Sequence, residues 1–95
     1  VYPDHIESLS NIGAVYFLLG QYEKALTPLL TAYQLNPKDL VVINNIAEIY
    51  NELGLNIKAE AYYRLMMKYG DKQDKKYAKE KIKEFNDAIS NLKIY

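Results

Sequence analysis

Residues 9–20 read LSNIGAVYFLLG and residues 43–54 read INNIAEIYNELG. A shift of 34 residues lays Asn11-Ile12-Gly13 over Asn45-Ile46-Ala47, Tyr16 over Tyr50, and Leu19-Gly20 over Leu53-Gly54. Within each copy the apolar residues recur at three- and four-residue steps: Leu9, Ile12, Tyr16 and Leu19, then Ile43, Ile46, Tyr50 and Leu53. That spacing predicts an amphipathic helix. Gly20 and Gly54 supply the left-handed conformation that ends one. A helix with a built-in stop, copied at a fixed period, marks a stacked supersecondary unit.

Working outward, the same shift lays Lys24-Ala25 over Lys58-Ala59, and a second apolar run follows each glycine. The first run holds Tyr22, Ala25, Leu26, Leu29, Leu30, Ala32 and Tyr33; the second holds Ile57, Ala59, Tyr62, Tyr63, Met66 and Met67. Asn36-Pro37 ends the first of these helices, because proline disfavours helical backbone in the residue before it. Gly70-Asp71 ends the second. Pro28 falls inside a helix, where it removes one backbone donor at about 3 kcal/mol unless the site is adapted. A kink on the solvent side is expected there, not a break.

These positions together resemble the tetratricopeptide repeat: Leu9-x2-Ile12-Gly13-x2-Tyr16, Ala25-x3-Leu29 and Pro37, then Ile43-x2-Ile46-Ala47-x2-Tyr50, Ala59-x3-Tyr63 and Asp71 in place of the proline. The small residues Gly13, Ala47, Ala25 and Ala59 let two antiparallel helices approach closely. Met66 in the slot of Ala32 and Asn56 in the slot of Tyr22 depart from the pattern. The resemblance implies an all-α, right-handed α-solenoid of antiparallel helix hairpins. Residues 6–39 form one unit and 40–73 another. Pro3, one period before Pro37, makes residues 1–5 the tail of a preceding repeat or a linker, so a longer array is expected.

From Asp74 the character changes. Ala78, Ile82, Phe85, Ile89 and Leu92 make a narrow apolar seam among Lys75, Lys76, Lys79, Glu80, Lys81, Lys83, Glu84 and Asp87. Residues 74–95 are expected to form a C-terminal capping helix that covers the last repeat and offers charge to water. Its 4-3-4-3 spacing also suits a weak homodimeric coiled coil. Residues after Leu92 are expected to fray.

Composition narrows the function classes. Twelve basic and twelve acidic residues cancel, which gives no long-range pull towards nucleic acid or an anionic membrane. No apolar run approaches the roughly 20 residues that span a bilayer. With no cysteine and His5 the single histidine, no His/Cys metal-ligand cluster is expected, and neither Ser8, Ser10 nor Ser90 has a histidine placed to act as its base. The glycines stand at turns and make no phosphate loop. No catalytic residue, cofactor or metal is expected, and the compartment is left open.

In the tetratricopeptide family the first helix of each hairpin lines a concave groove that holds another protein or peptide. The resemblance implies that Glu7, Ser10, Asn11, Ala14, Phe17 and Leu18 line it in the first unit. Val41, Asn44, Asn45, Glu48, Asn51 and Glu52 do so in the second, with Lys75 and Lys79 at the rim. Asparagines offer donors and an acceptor suited to a peptide backbone, although they also fit the ordinary polarity of helix surfaces in an Asn-rich chain. Phe17 and Leu18 would form an apolar pocket. Some family members clamp a chaperone's C-terminal carboxylate with Lys and Asn at the places held here by Ser10 and Ala14. Asn45, Lys75 and Lys79 fit that clamp, but without the leading pair much of the charge-assisted bonding is missing. The expected ligand is therefore a peptide or helix held by backbone and apolar contacts.

Overall fold

A computed structural model describes residues 3–93. It contains five helices: α1 (Pro3–Leu18), α2 (Tyr22–Leu35), α3 (Leu40–Glu52), α4 (Asn56–Tyr69) and α5 (Lys72–Lys93). α1 packs on α2 and α3 on α4 as hairpins, α2 packs on α3, and α4 on α5, giving an all-α solenoid. The molecule measures 50 × 29 × 18 Å, with a radius of gyration of 14.0 Å. A compact domain of this length would have about 13 Å, so the stack is already elongated.

The two hairpin turns are copies at the level of single hydrogen bonds. Gly20 and Gly54 both have φ of 76°. In the first turn the Gly20 N–H donates to the Phe17 carbonyl and the Gln21 N–H to that of Tyr16. In the second, Gly54 donates to Asn51 and Leu55 to Tyr50. This paired pattern satisfies carbonyls that a helix end leaves open.

The turns between hairpins use side chains instead. Asp39 caps α3 by accepting from the N–H groups of Val41 and Val42 at 3.1 and 3.2 Å. Asp71 and Asp74 cap α5 reciprocally: the Asp74 N–H donates to Asp71 Oδ1 and the Asp71 N–H to Asp74 Oδ2. Donation from the Asp74 backbone holds the Asp71 carboxyl below its ordinary pKa, against a smaller desolvation effect.

The core runs along the stack through Ala25, Leu29 and Ala32 of α2, Val42, Ile43, Ile46 and Ala47 of α3, Ala59 and Tyr63 of α4, and Ala78 and Phe85 of α5. Close approach of α1 and α2 is visible at Gly13, where an added Cβ would lie 2.9 Å from both methyl carbons of the fully buried Leu29. Met66 is buried in the slot of Ala32, so that departure leaves the packing intact.

Two expectations change. Residues 3–5, expected in the tail of a preceding repeat or a linker, form the first turn of α1. Proline suits a helix's first position, since the N–H it lacks would have no partner there; Pro37 instead sits in the turn before α3. The last helix starts at Lys72, two residues early, because Asp71 supplies its cap. α2 runs unbroken through a half-buried Pro28, and the carbonyl that loses its donor belongs to Lys24, an exposed residue. Val1, Tyr2, Ile94 and Tyr95, with the expectations that fall on them, lie outside the described residues.

Candidate functional site

Helices α1, α3 and α5 are the first-position helices of successive layers, and their common side is the candidate groove. α1 approaches α3 directly. Among the described residues, no Cα of α5 comes within 8 Å of one in α3. The residues at the two junctions differ. One period apart, α1 presents Ala14 where α3 presents Glu48, and α3 presents Ile43 where α5 presents Tyr77. The equivalents of Glu48 and Tyr77 at the first junction are Ala14 and Ile43, neither of which has a polar side chain. At the second, the Tyr77 hydroxyl donates to Glu48 Oε1 across the wider gap.

Behind that bridge stands Tyr63 of α4, whose ring lies 6.2 Å from that of Tyr77 and 6.0 Å from that of Phe85. Its hydroxyl is buried and makes no hydrogen bond. Burial, reinforced by the nearby Glu48 carboxylate and Tyr77, pushes the Tyr63 phenol far above its ordinary pKa. Tyr77 is raised as well, by desolvation first and then by its bond to Glu48. Both phenols therefore keep their protons at neutral pH.

The positions expected to line the groove separate into groups. Glu7, Ser10, Asn11 and Val41 come together in a recess of about 480 Å³ where α1 meets the turn between α2 and α3. Ile6, Asn36 and Asp39 complete its wall. Asn44, Asn45, Glu48 and Asn51 follow along α3, all half-buried, and Glu52 is exposed at its end. The Asn44 side-chain oxygen is buried without a hydrogen-bond partner.

Phe17 and Leu18 do not form a pocket. Phe17 is half-buried with its ring 5.5 Å from Tyr22 at the start of α2, while Leu18 is exposed. Ala14 is half-buried against the body of the stack. Lys75 and Lys79 are exposed on α5, away from the recess.

Sequence reasoning missed Tyr77, Ile6, Asn36 and Asp39. Tyr77 falls one period after the core residue Ile43, so periodicity alone reads it as interior. Asp39 carried a usable signal, since an Asp just ahead of an apolar helical run is a strong cap candidate.

Comparison with known proteins agrees with this architecture. The tetratricopeptide repeat family profile matches residues 6–39 and 41–68. The chain is 36% identical over 75 residues to Protein CTR9 homolog from Arabidopsis thaliana, an alignment covering 77% of this chain and 7% of that protein. No solved structure matches significantly. The chain thus spans a small fraction of the curated relative it matches. With two matched repeats, a duplicated helix stop and hairpins that stack in register, the chain belongs to the tetratricopeptide repeat family.

Proposed function

We propose that this chain is a non-catalytic protein–protein interaction scaffold that holds an extended peptide or a helix along the concave side of α1, α3 and α5. The observation that carries this reading is the run of half-buried carboxamides and carboxylate on α3: Asn44, Asn45, Glu48 and Asn51. Half-buried amides on a fixed helix are pre-oriented, so a peptide backbone can be gripped without ordering long side chains at its own entropic cost. A clamp for an acidic C-terminus remains incomplete, because Ser10 and Ala14 carry no charge and Lys75 and Lys79 stand alone.

The test is selection of peptides from a displayed library on the purified chain, followed by mapping of bound peptides through backbone amide shifts. Perturbations on α1, α3 and α5, weakened together by Asn11→Ala and Asn45→Ala, are expected. Perturbations confined to α2 and α4 would overturn the groove.

A second reading, stacking against another helix as a spacer in a repeat array or as a self-association module, is favoured by one observation. Ile12 and Val15 on α1, with Leu19 just past its end, form an exposed apolar stripe. Light scattering at rising concentration separates the two forms of that reading: growth in mass indicates self-association, and a constant monomer mass leaves only the spacer.

A further inference from the structure

We infer that the recess between α1 and the α2–α3 turn takes a basic side chain, a guanidinium or ammonium group, from the bound chain. This rests on the groove reading above and names its partner chemistry. Every polar side chain on the recess wall can accept a hydrogen bond, and none is cationic. Glu7 is exposed and makes no ion pair among the described residues. Asp39 spends Oδ1 on the α3 cap, leaving Oδ2 without a hydrogen bond. Asn36 Oδ1 accepts from the Lys38 N–H at 3.1 Å and retains a second lone pair.

Ser10 supplies the independent observation. It is only 8% exposed, lines the recess, and no hydrogen bond among the described residues engages its hydroxyl. Its oxygen keeps its lone pairs open to the recess and can accept from a donor arriving there. The nearest basic residue in sequence, Lys38, is drawn elsewhere, with Nζ 5.7 Å from the centre of the Tyr69 ring. Ile6 and Val41 give the wall an apolar part, against which the methylene stem of an arginine or lysine packs. The positive end of α3 is already met by its Asp39 cap, so it does not oppose a cation.

The experiment titrates the 95-residue chain with N-acetyl-arginine methylamide, and separately with its neutral citrulline analogue, following backbone amide shifts. Saturable shifts at residues 6–11 and 36–41 are expected for the arginine probe, with affinity on the order of millimolar, and none for citrulline. Glu7→Gln weakens the arginine probe about three- to fivefold, the range of exposed charge pairs. Glu7→Lys removes its binding, and added salt weakens it. Equal shifts from both probes, shifts that persist in E7K, or no shifts at these residues would each overturn the inference.

Library-selected peptides keep the two proposals apart. Peptides that map onto α1, α3 and α5 but bind E7K unchanged sink the recess and leave the groove standing. Peptides that map onto α2 and α4 sink the groove, while the arginine probe still decides the recess.

Discussion

α1 and α3 hold the same places in successive repeats, yet one stripe of side chains fares oppositely on the two. On α3, Val42, Ile46 and Ile49 are fully buried, and Leu53 at its C-cap is half-buried. One period earlier stand Ser8, Ile12 and Val15 of α1 and Leu19 just past its end, of which Ile12 is 49% and Val15 56% exposed. The residue types barely differ. What differs is the neighbour, since α2 lies against α3 and none of the five helices lies against α1 on that side. In a repeat protein the energetic weight of a residue is set by the adjoining layer as much as by the repeat that contains it.

The sharpest way to break this comparison is one substitution made twice. Ile46→Ala empties a packed site and is expected to cost about 2–4 kcal/mol, in line with large-to-small core changes. Ile12→Ala, at the matched position, is expected to cost less than about 1 kcal/mol. Urea denaturation of both variants at low protein concentration reads the difference. Equal costs would mean that the α1 stripe is covered in solution, by a second copy of the chain or by rearrangement.

This pair also marks where the sequence stops being informative. The period, the helix stops and the small-residue contacts are local or pairwise, and all were legible: Gly20 and Gly54 take up positive φ, and Gly13 lies against Leu29. The fold class and the two hairpins follow from them. Exposure of Ile12 does not, because its pattern is that of Ile46. Likewise Phe17 reads as a groove residue by register, but the aromatic Tyr22 at the start of α2 draws it aside. In the second repeat the matched positions are Asn51 and Asn56, where no such pair can form. The recess was half legible: Glu7, Ser10, Asn11 and Val41 came from register, whereas Asn36 and Asp39 arrive from a turn whose path periodicity does not describe.

A second contrast concerns Gly13 and Ala47, which occupy one slot with different tolerances. Gly13→Ala would drive a Cβ into Leu29, a side chain with no exposed surface through which to withdraw. Overpacking of this kind costs about 1–3 kcal/mol, enough to outweigh the gain of roughly 1 kcal/mol in helix propensity. Destabilisation of G13A, by thermal or urea denaturation, is therefore the expected sign. A stabilised G13A would show that α1 can back away from α2, and that the first hairpin is more loosely held than the second.

The two hairpin turns should behave alike where the helices differ. Gly20→Ala and Gly54→Ala meet open space but inherit a φ of 76°, a strain of about 1–2 kcal/mol for a residue with a side chain. Similar losses are expected from each. If G54A costs clearly more, the second hairpin carries the cooperativity of the stack; if G20A does, the exposed stripe of α1 leaves its hairpin dependent on the turn.

The smallest effect separates the two groove junctions. Tyr77→Phe removes the donor to Glu48 that joins α5 to α3, and a net loss of about 0.5–1.5 kcal/mol is expected at neutral pH. Ala14→Gly tests the other junction, where no side-chain hydrogen bond crosses among the described residues; there the expected cost is roughly 1 kcal/mol of helix propensity plus up to about 0.8 kcal/mol for the half-buried methyl. Titration gives a further handle. The Tyr77 phenol is raised above its ordinary value in the folded chain, so the unfolded chain releases that proton first. The stability tied to the neutral phenol is thus complete below about pH 10, where an unperturbed tyrosine titrates, and is lost as pH rises towards the folded pKa. Denaturation midpoints should fall as pH rises above about 10, and Y77F should fall less steeply than the parent, with Tyr63 still contributing. Identical slopes would mean that Tyr77 does not hold its proton against Glu48, and that the wider junction is held by the α4–α5 packing alone.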